Sequence, residues 1–256
     1  MTSFFYTIIS VIIVSLVSLI GIVALFFNKK KADSLLFTLV SISAGTLFGG
    51  AFFHLIPEAV EESGSFSVSI SLLILAGIIT FFFLDTLIHW KHSHDQSTLI
   101  HPREINKKSS IAHLNLLGDG IHNFLDGLLI AGSYLVSIPT GIATTIAVVI
   151  HETPQEIADF GVLMHSGLSK RKALLFNFLA ASIAIVGAIV GLTLGARSEI
   201  FVTAIVPFAG GSFVYIAGSN LIPELLHKNH GLRDVFKQFL AFIGGVAIMY
   251  GLLFLS

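Results

Sequence analysis

Long apolar runs, each separated from the next by short polar punctuation, dominate this chain from end to end. Each run approaches the roughly 20 residues that an α-helix needs to cross about 30 Å of hydrocarbon. A closed barrel also satisfies every backbone group in lipid, but it would read as segments of about ten residues alternating in polarity. That alternation is missing here, so helices are expected. Composition agrees: with 54% apolar and 11% charged residues, there is too little polar surface to cover a water-soluble globule of 256 residues. The chain has no cysteine, which excludes disulfides, thiolate ligands and a thiol nucleophile. Any metal chemistry must use nitrogen and oxygen.

The pattern predicts an all-α membrane protein with eight transmembrane helices, at 4–27, 35–60, 67–90, 112–136, 139–164, 172–194, 200–226 and 234–255. These form one transmembrane domain over 1–256, with a histidine-containing loop at about 91–111. The first run has no basic leader and is followed by Lys29, Lys30 and Lys31, so it is read as a retained span. Of the 14 basic residues, all but Arg197 fall in or beside the odd-numbered connections. The positive-inside rule therefore puts those connections in the cytoplasm and both termini on the other side. Glu58, Glu61 and Glu62 end span two on that outer face.

An internal repeat sharpens this picture. Residues 45–58, GTLFGGAFFHLIPE, align without gaps on residues 211–224, GSFVYIAGSNLIPE. The copies lie in spans two and seven, an odd number of crossings apart, which predicts an inverted repeat. The expected architecture is 3+2+3: spans one to three and six to eight related by a pseudo-two-fold axis, with spans four and five between them.

The chemistry is concentrated in those two central spans. Span four carries Asp119, His122, Asn123 and Asp126, with His122 and Asp126 on one face at i,i+4. Span five carries His151, Glu152, Gln155, Glu156 and Asp159. The short turn at Ile138 and Pro139 makes the two helices antiparallel neighbours, so the clusters should meet. An ionised Asp at mid-bilayer costs about 2.5 to 3.5 kcal/mol, and neither span has a Lys or Arg to balance one. A divalent cation answers the deficit. Imidazole with carboxylate suits zinc, iron, manganese or cadmium, and Asn123 or Gln155 can supply a carbonyl. Pro154 cannot donate to the Ile150 carbonyl, which predicts a kink and a backbone oxygen turned toward the site. Gly118, Gly120 and Gly127 predict a close approach of span four to its neighbour.

The runs His122-Asn123-Phe124-Leu125-Asp126-Gly127 and His151-Glu152-Thr153-Pro154-Gln155-Glu156 resemble the paired signatures of the ZIP family of zinc and iron transporters. The resemblance covers essentially the whole chain. It implies eight spans, import toward the cytosol, and a metal site lined by His122, Asn123, Asp126, His151, Glu152, Gln155 and Glu156. Two positions depart from the family pattern. Gln155 is neutral where relatives carry Glu or His, and span six offers Asn177 where some bacterial relatives add a glutamate.

Around the site, His54 with Glu58 is a candidate outer mouth, and Asn220 with Glu224 its repeat equivalent on the cytoplasmic side. Asp119, Asp159 and Asn177 are candidates for the pathway, and His92, His94 and His101 for metal capture in the loop. Asp85 and His89, near the cytoplasmic end of span three, read equally well as helix-end polarity. Zinc is the expected cargo, and the expected partners are a divalent ion and the lipid bilayer. A homodimer stays open, and no nucleic acid is expected. The plasma (inner) membrane is the expected location. Two other functions fit part of the pattern. One is a membrane metal sensor that binds without transport; the other is an intramembrane zinc protease, whose His-Glu-x-x-His motif is broken here by Gln155. No enzymatic role is expected.

Overall fold

In the computed structural model, residues 2–21, 29–97, 104–226 and 231–255 are described, and among them there is no strand. The helices are α1 (Thr2–Val17), α2 (Lys29–Gly50), α3 (Ile56–Ser63), α4 (Val68–Ser97), α5 (Glu104–Val136), α6 (Ile138–His165), α7 (Lys170–Ala181), α8 (Ile183–Gly195), α9 (Glu199–Tyr215), α10 (Ile222–Leu226) and α11 (Leu232–Leu252). Among the described residues, six segments are long and apolar enough to cross a membrane: Thr2–Gly21, Ser34–Ser63, Val68–Leu87, Lys170–Gly195, Ile200–Leu221 and Leu232–Leu252. Their outward faces are apolar as well. Leu72, Ile79 and Phe83 on α4 and Phe236, Phe239 and Ile243 on α11 are all exposed, a surface suited to lipid and costly in water.

Several boundaries differ from those expected. The helix of span three runs on to Ser97, because no Gly or Pro lies between Trp90 and Ser97 to stop it. His92 and His94 therefore fall on α4 rather than in a loop. Their side chains, and all of His101, lie outside the described part, as do residues 22–27 of span one. Span six is divided at Ser182, whose hydroxyl donates back to the Phe178 carbonyl (2.6 Å).

The two Leu-Ile-Pro-Glu segments are built alike. Each is preceded by a π-helical stretch, Ala51–Leu55 in one and Ile216–Leu221 in the other. Each stretch closes with a wide backbone bond at the same aligned register, Ile56 N–H to Ala51 O and Ile222 N–H to Ala217 O. Pro57 and Pro223 have no N–H to continue the α-helical ladder, so the wider bond takes up the loss.

Packing follows the same register. A Cβ on Gly245 of α11 would run into the Ile42 carbonyl of α2, and one on Gly77 of α4 would run into the Phe208 carbonyl of α9. In the gapless alignment Ile42 corresponds to Phe208. The contacts are reciprocal, since Gly45 meets the Phe242 carbonyl and Gly211, its aligned counterpart, meets the Ile74 carbonyl. Small residues let helix backbones touch where lipid gives no hydrophobic drive to associate.

At the centre, α5 and α6 form a hairpin around the single residue Ser137. Its extended backbone and its side chain, which accepts the Thr140 N–H (3.2 Å), cap α6, and Pro139 starts the helix where no donor is needed. Thr144 donates to Ser133 (2.9 Å) and Thr145 to the Tyr134 hydroxyl (3.3 Å), tying the two arms just beyond the turn. The close approach through Gly127 is made to α8, not to α6. A Cβ there would strike the Ala184 carbonyl, and one on Gly187 would strike the Phe124 carbonyl. The glycine face of span four thus points away from α6, and the polar face is left to the hairpin interior.

Candidate metal centre

His122 lies fifteen residues before Ser137 and His151 fourteen after it. At 1.5 Å per residue both sit about 21 Å from the turn, so an antiparallel hairpin brings them level. Asp126, one helical turn nearer the turn on α5, and Glu152, next to His151 on α6, complete a group whose donor atoms all lie within 4.8 Å of one another. Asp126, His151 and Glu152 are at most 1% exposed, while the side chain of His122 keeps 16%.

The separations are those of a coordination shell. His122 Nε2 is 3.2 Å from His151 Nε2 and 3.2 Å from Glu152 Oε1. His151 Nε2 is 3.3 Å from both Asp126 Oδ2 and Glu152 Oε1, and His122 Nε2 is 3.7 Å from Asp126 Oδ2. A tetrahedron with metal–ligand bonds of about 2.0 to 2.1 Å has edges of about 3.3 Å. Further support comes from His151 Nδ1, which donates to the Ala147 carbonyl (3.1 Å) and so leaves Nε2 with its lone pair facing the group. Both oxygens of Asp126 and both of Glu152 are buried without a hydrogen-bond donor. Such atoms are expensive in an apolar interior unless a cation takes them up.

A second group follows one turn further along α6. Asp119, Glu152 and Glu156 offer carboxylate oxygens within 4.8 Å of one another, all buried, and Glu152 belongs to both groups. Asp119 Oδ1 accepts from Asn123 Nδ2 (2.8 Å), while Asp119 Oδ2, Asn123 Oδ1 and Glu156 Oε1 have no donor. The first group mixes imidazole and carboxylate; the second is all oxygen, which suits harder ions or a weaker hold on zinc.

The remaining candidates are placed as follows. Gln155 and Asp159 are both half-buried on α6, and Asp159 belongs to neither group. Asn177 is fully buried on α7, with its amide donating to Glu156. His54 is buried in the first π-helical stretch and its Nε2 donates to the Met249 carbonyl (2.8 Å), while Glu58 is half-buried on α3. Pro154 sits inside a continuous α6, and the Ile150 carbonyl it frees is taken by the Ser43 hydroxyl of α2 (2.8 Å). That carbonyl is therefore engaged by span two.

Sequence reasoning did not find the aromatic walls of the site. The ring of Phe81 meets His122 edge-on at 6.0 Å, and Phe213 flanks His151 at 6.2 Å. A cavity leads away from His122 and is lined by Leu84, Asp85, Gly118, Ile121, Tyr215 and Asn220 among others. Across it the Tyr215 hydroxyl donates to Asp85 Oδ2 (3.1 Å). Aromatic residues inside apolar spans carry no sequence signal that marks them out.

The sequence model of the ZIP zinc transporter family matches residues 4–111 and 91–253. The chain belongs to this family. A "Zinc transporter ZIP13 homolog" of Drosophila melanogaster is 31% identical over 279 residues, covering 86% of this chain and 78% of that protein. The "Zinc transporter zipt-7.2" of Caenorhabditis elegans is 30% identical over 87% of this chain, which spans 59% of the nematode protein's length. The "Metal cation symporter ZIP14" of Xenopus tropicalis is 30% identical over 93% of this chain and 65% of its own. Family membership and the multiple apolar helices together make this an integral membrane protein of the ZIP group.

Proposed function

We propose that the chain carries a divalent cation, zinc first, across the membrane toward the cytosol, binding it between α5 and α6. The observation that carries this reading is the His122, Asp126, His151 and Glu152 group: four buried donors at the spacing of a tetrahedral zinc shell, with no Lys or Arg in residues 112–136 of α5 or anywhere on α6 to neutralise them. Asn123, Glu156 and Asp119 extend the site toward a second position, and Gln155 is assigned as a weaker oxygen donor at its edge. Iron, manganese and cadmium share these ligand preferences. The names of the relatives favour zinc.

Eight spans in a 3+2+3 arrangement, with both termini outside the cytoplasm, complete the proposal. At 33 and 28 residues, α5 and α6 exceed the length a crossing requires, and their acidic residues are accounted for by cargo. The matched π-helical stretches and reciprocal glycine contacts support an inverted repeat whose halves rock around the central hairpin. A bacterial-type inner membrane or a plasma membrane is the setting that fits import. His54 with Glu58 at one mouth, and Asp159, Asn177, His92 and His94 at the end of α4 and His101 toward the other, are assigned to the ion's route.

Uptake of a zinc radioisotope into proteoliposomes tests the reading. Wild type is expected to accumulate zinc, and Asp126→Ala and His151→Ala are expected to lose at least 100-fold in rate while eluting as folded protein. Normal rates in both variants would defeat the site assignment.

A further inference from the structure

We infer that Asn177 is a positioning residue for Glu156, fixing one carboxylate oxygen so that only the other is presented to an ion in the second group. The inference rests on the proposal that Glu156 is a metal ligand, and deepens it.

Asn177 is fully buried on α7. Its Nδ2 donates to three oxygens: Glu156 Oε2 at 2.5 Å, the Ser18 carbonyl at 3.3 Å and the Glu156 carbonyl at 3.4 Å. The amide orientation is dictated by chemistry, since only Nδ2 has protons to give to a carboxylate oxygen. With Oε2 engaged, Oε1 remains without a donor, and Glu156 is the residue that closes the all-carboxylate group with Asp119 and Glu152. A carboxylate free at both oxygens can chelate or swing. One held at Oε2 binds through a single oxygen in a fixed direction.

The surroundings make Asn177 a junction. Ser18 follows the end of α1, and at Gly21 a Cβ would press on the ring of Phe160 and lie 3.3 Å from the Glu156 carbonyl. Ser15 of α1 also donates to the Ala181 carbonyl of α7 (3.2 Å). Segments α1, α6 and α7 are thereby pinned together around Glu156, and none of these contacts involves α5. The first group draws all four donors from the α5–α6 hairpin, whereas the outer ligand of the second is held from α7. A shift of α7 against α6 would thus reach Glu156 and leave the His122–His151 pair in place. Hydrogen-bond partners of metal ligands of this kind typically affect metal affinity by roughly ten- to hundred-fold.

A double-mutant cycle on the full-length, detergent-solubilised chain tests this, using equilibrium dialysis against zinc and reading the weakest binding step. N177A is expected to weaken that step roughly ten- to hundred-fold, with elution and Tm close to wild type. N177S, which keeps a donor, should recover part of the loss. In an E156A background N177A should add nothing, because the residue it acts through is gone. Wild-type affinity in N177A overturns the inference. So does an equal loss with or without Glu156, or a fall in Tm with affinity unchanged. If N177A does not fold, N177S is read by the same criteria. Parallel uptake assays separate the two readings: zinc binding without transport removes the transporter and leaves the cycle standing, and transport with a flat cycle removes the positioning role alone. A wild type that binds no zinc removes both.

Discussion

At the scale of single residues, the centre is organised by which oxygens lack donors. Asp126 and Glu152 have none, Asp119 and Glu156 each have one oxygen engaged, and the amides of Asn123 and Asn177 do the engaging. The apolar runs and the two motifs made the clustering of His122, Asp126, His151 and Glu152 readable from sequence, because i,i+4 spacing and a short turn fix which side chains can meet. The long-range contacts around the site were not readable. Ser43 reaches Ile150 across 107 positions and Tyr215 reaches Asp85 across 130, and no local pattern encodes such pairs. The Ser43 contact leads to a prediction. In Ser43→Ala the Ile150 carbonyl beside Pro154 loses the hydroxyl that replaces its missing helical donor. Stability is expected to fall by about 1 to 3 kcal/mol, the cost of an unsatisfied buried acceptor, with zinc stoichiometry unchanged. Thermal unfolding in detergent, alongside zinc titration, would check both halves of that statement.

Among the helices, glycine placement decides which faces meet. The sequence suggested that the glycines of span four served its contact with span five, yet Gly127 pairs with α8 and Gly187 with α5. Periodicity identifies a small-residue face without saying which helix will occupy it. The contacts of Gly77 with the Phe208 carbonyl and of Gly245 with the Ile42 carbonyl are alike in geometry, so equal insults at the two sites should have equal effects if the halves are matched. Gly77→Leu and Gly245→Leu are each expected to destabilise the chain by at least 1 to 3 kcal/mol, the usual range for overpacking. A large difference between their unfolding midpoints would argue against matched halves. The extension of α4 to Ser97 was missed for a simpler reason: polar residues were read as loop where nothing breaks the helix.

For the molecule as a whole, the proposed function makes protons and metal competitors for the acids and histidines of the centre. A ligand must be deprotonated to coordinate, so zinc affinity should fall as pH drops from 7.5 to 5.5, and the pH dependence should flatten in a His122→Ala, His151→Ala double variant. Binding also couples to folding. At a free zinc concentration of about 100 Kd the folded state gains about 2.7 kcal/mol, which a zinc-dependent rise in Tm would report. Glu152 adds a last consequence, because it has two oxygens and two sets of neighbours. Should both positions fill at once, neither occupant could keep that carboxylate to itself. A newcomer would loosen the grip on the ion already seated, and crowding at one door would hasten departure through the other.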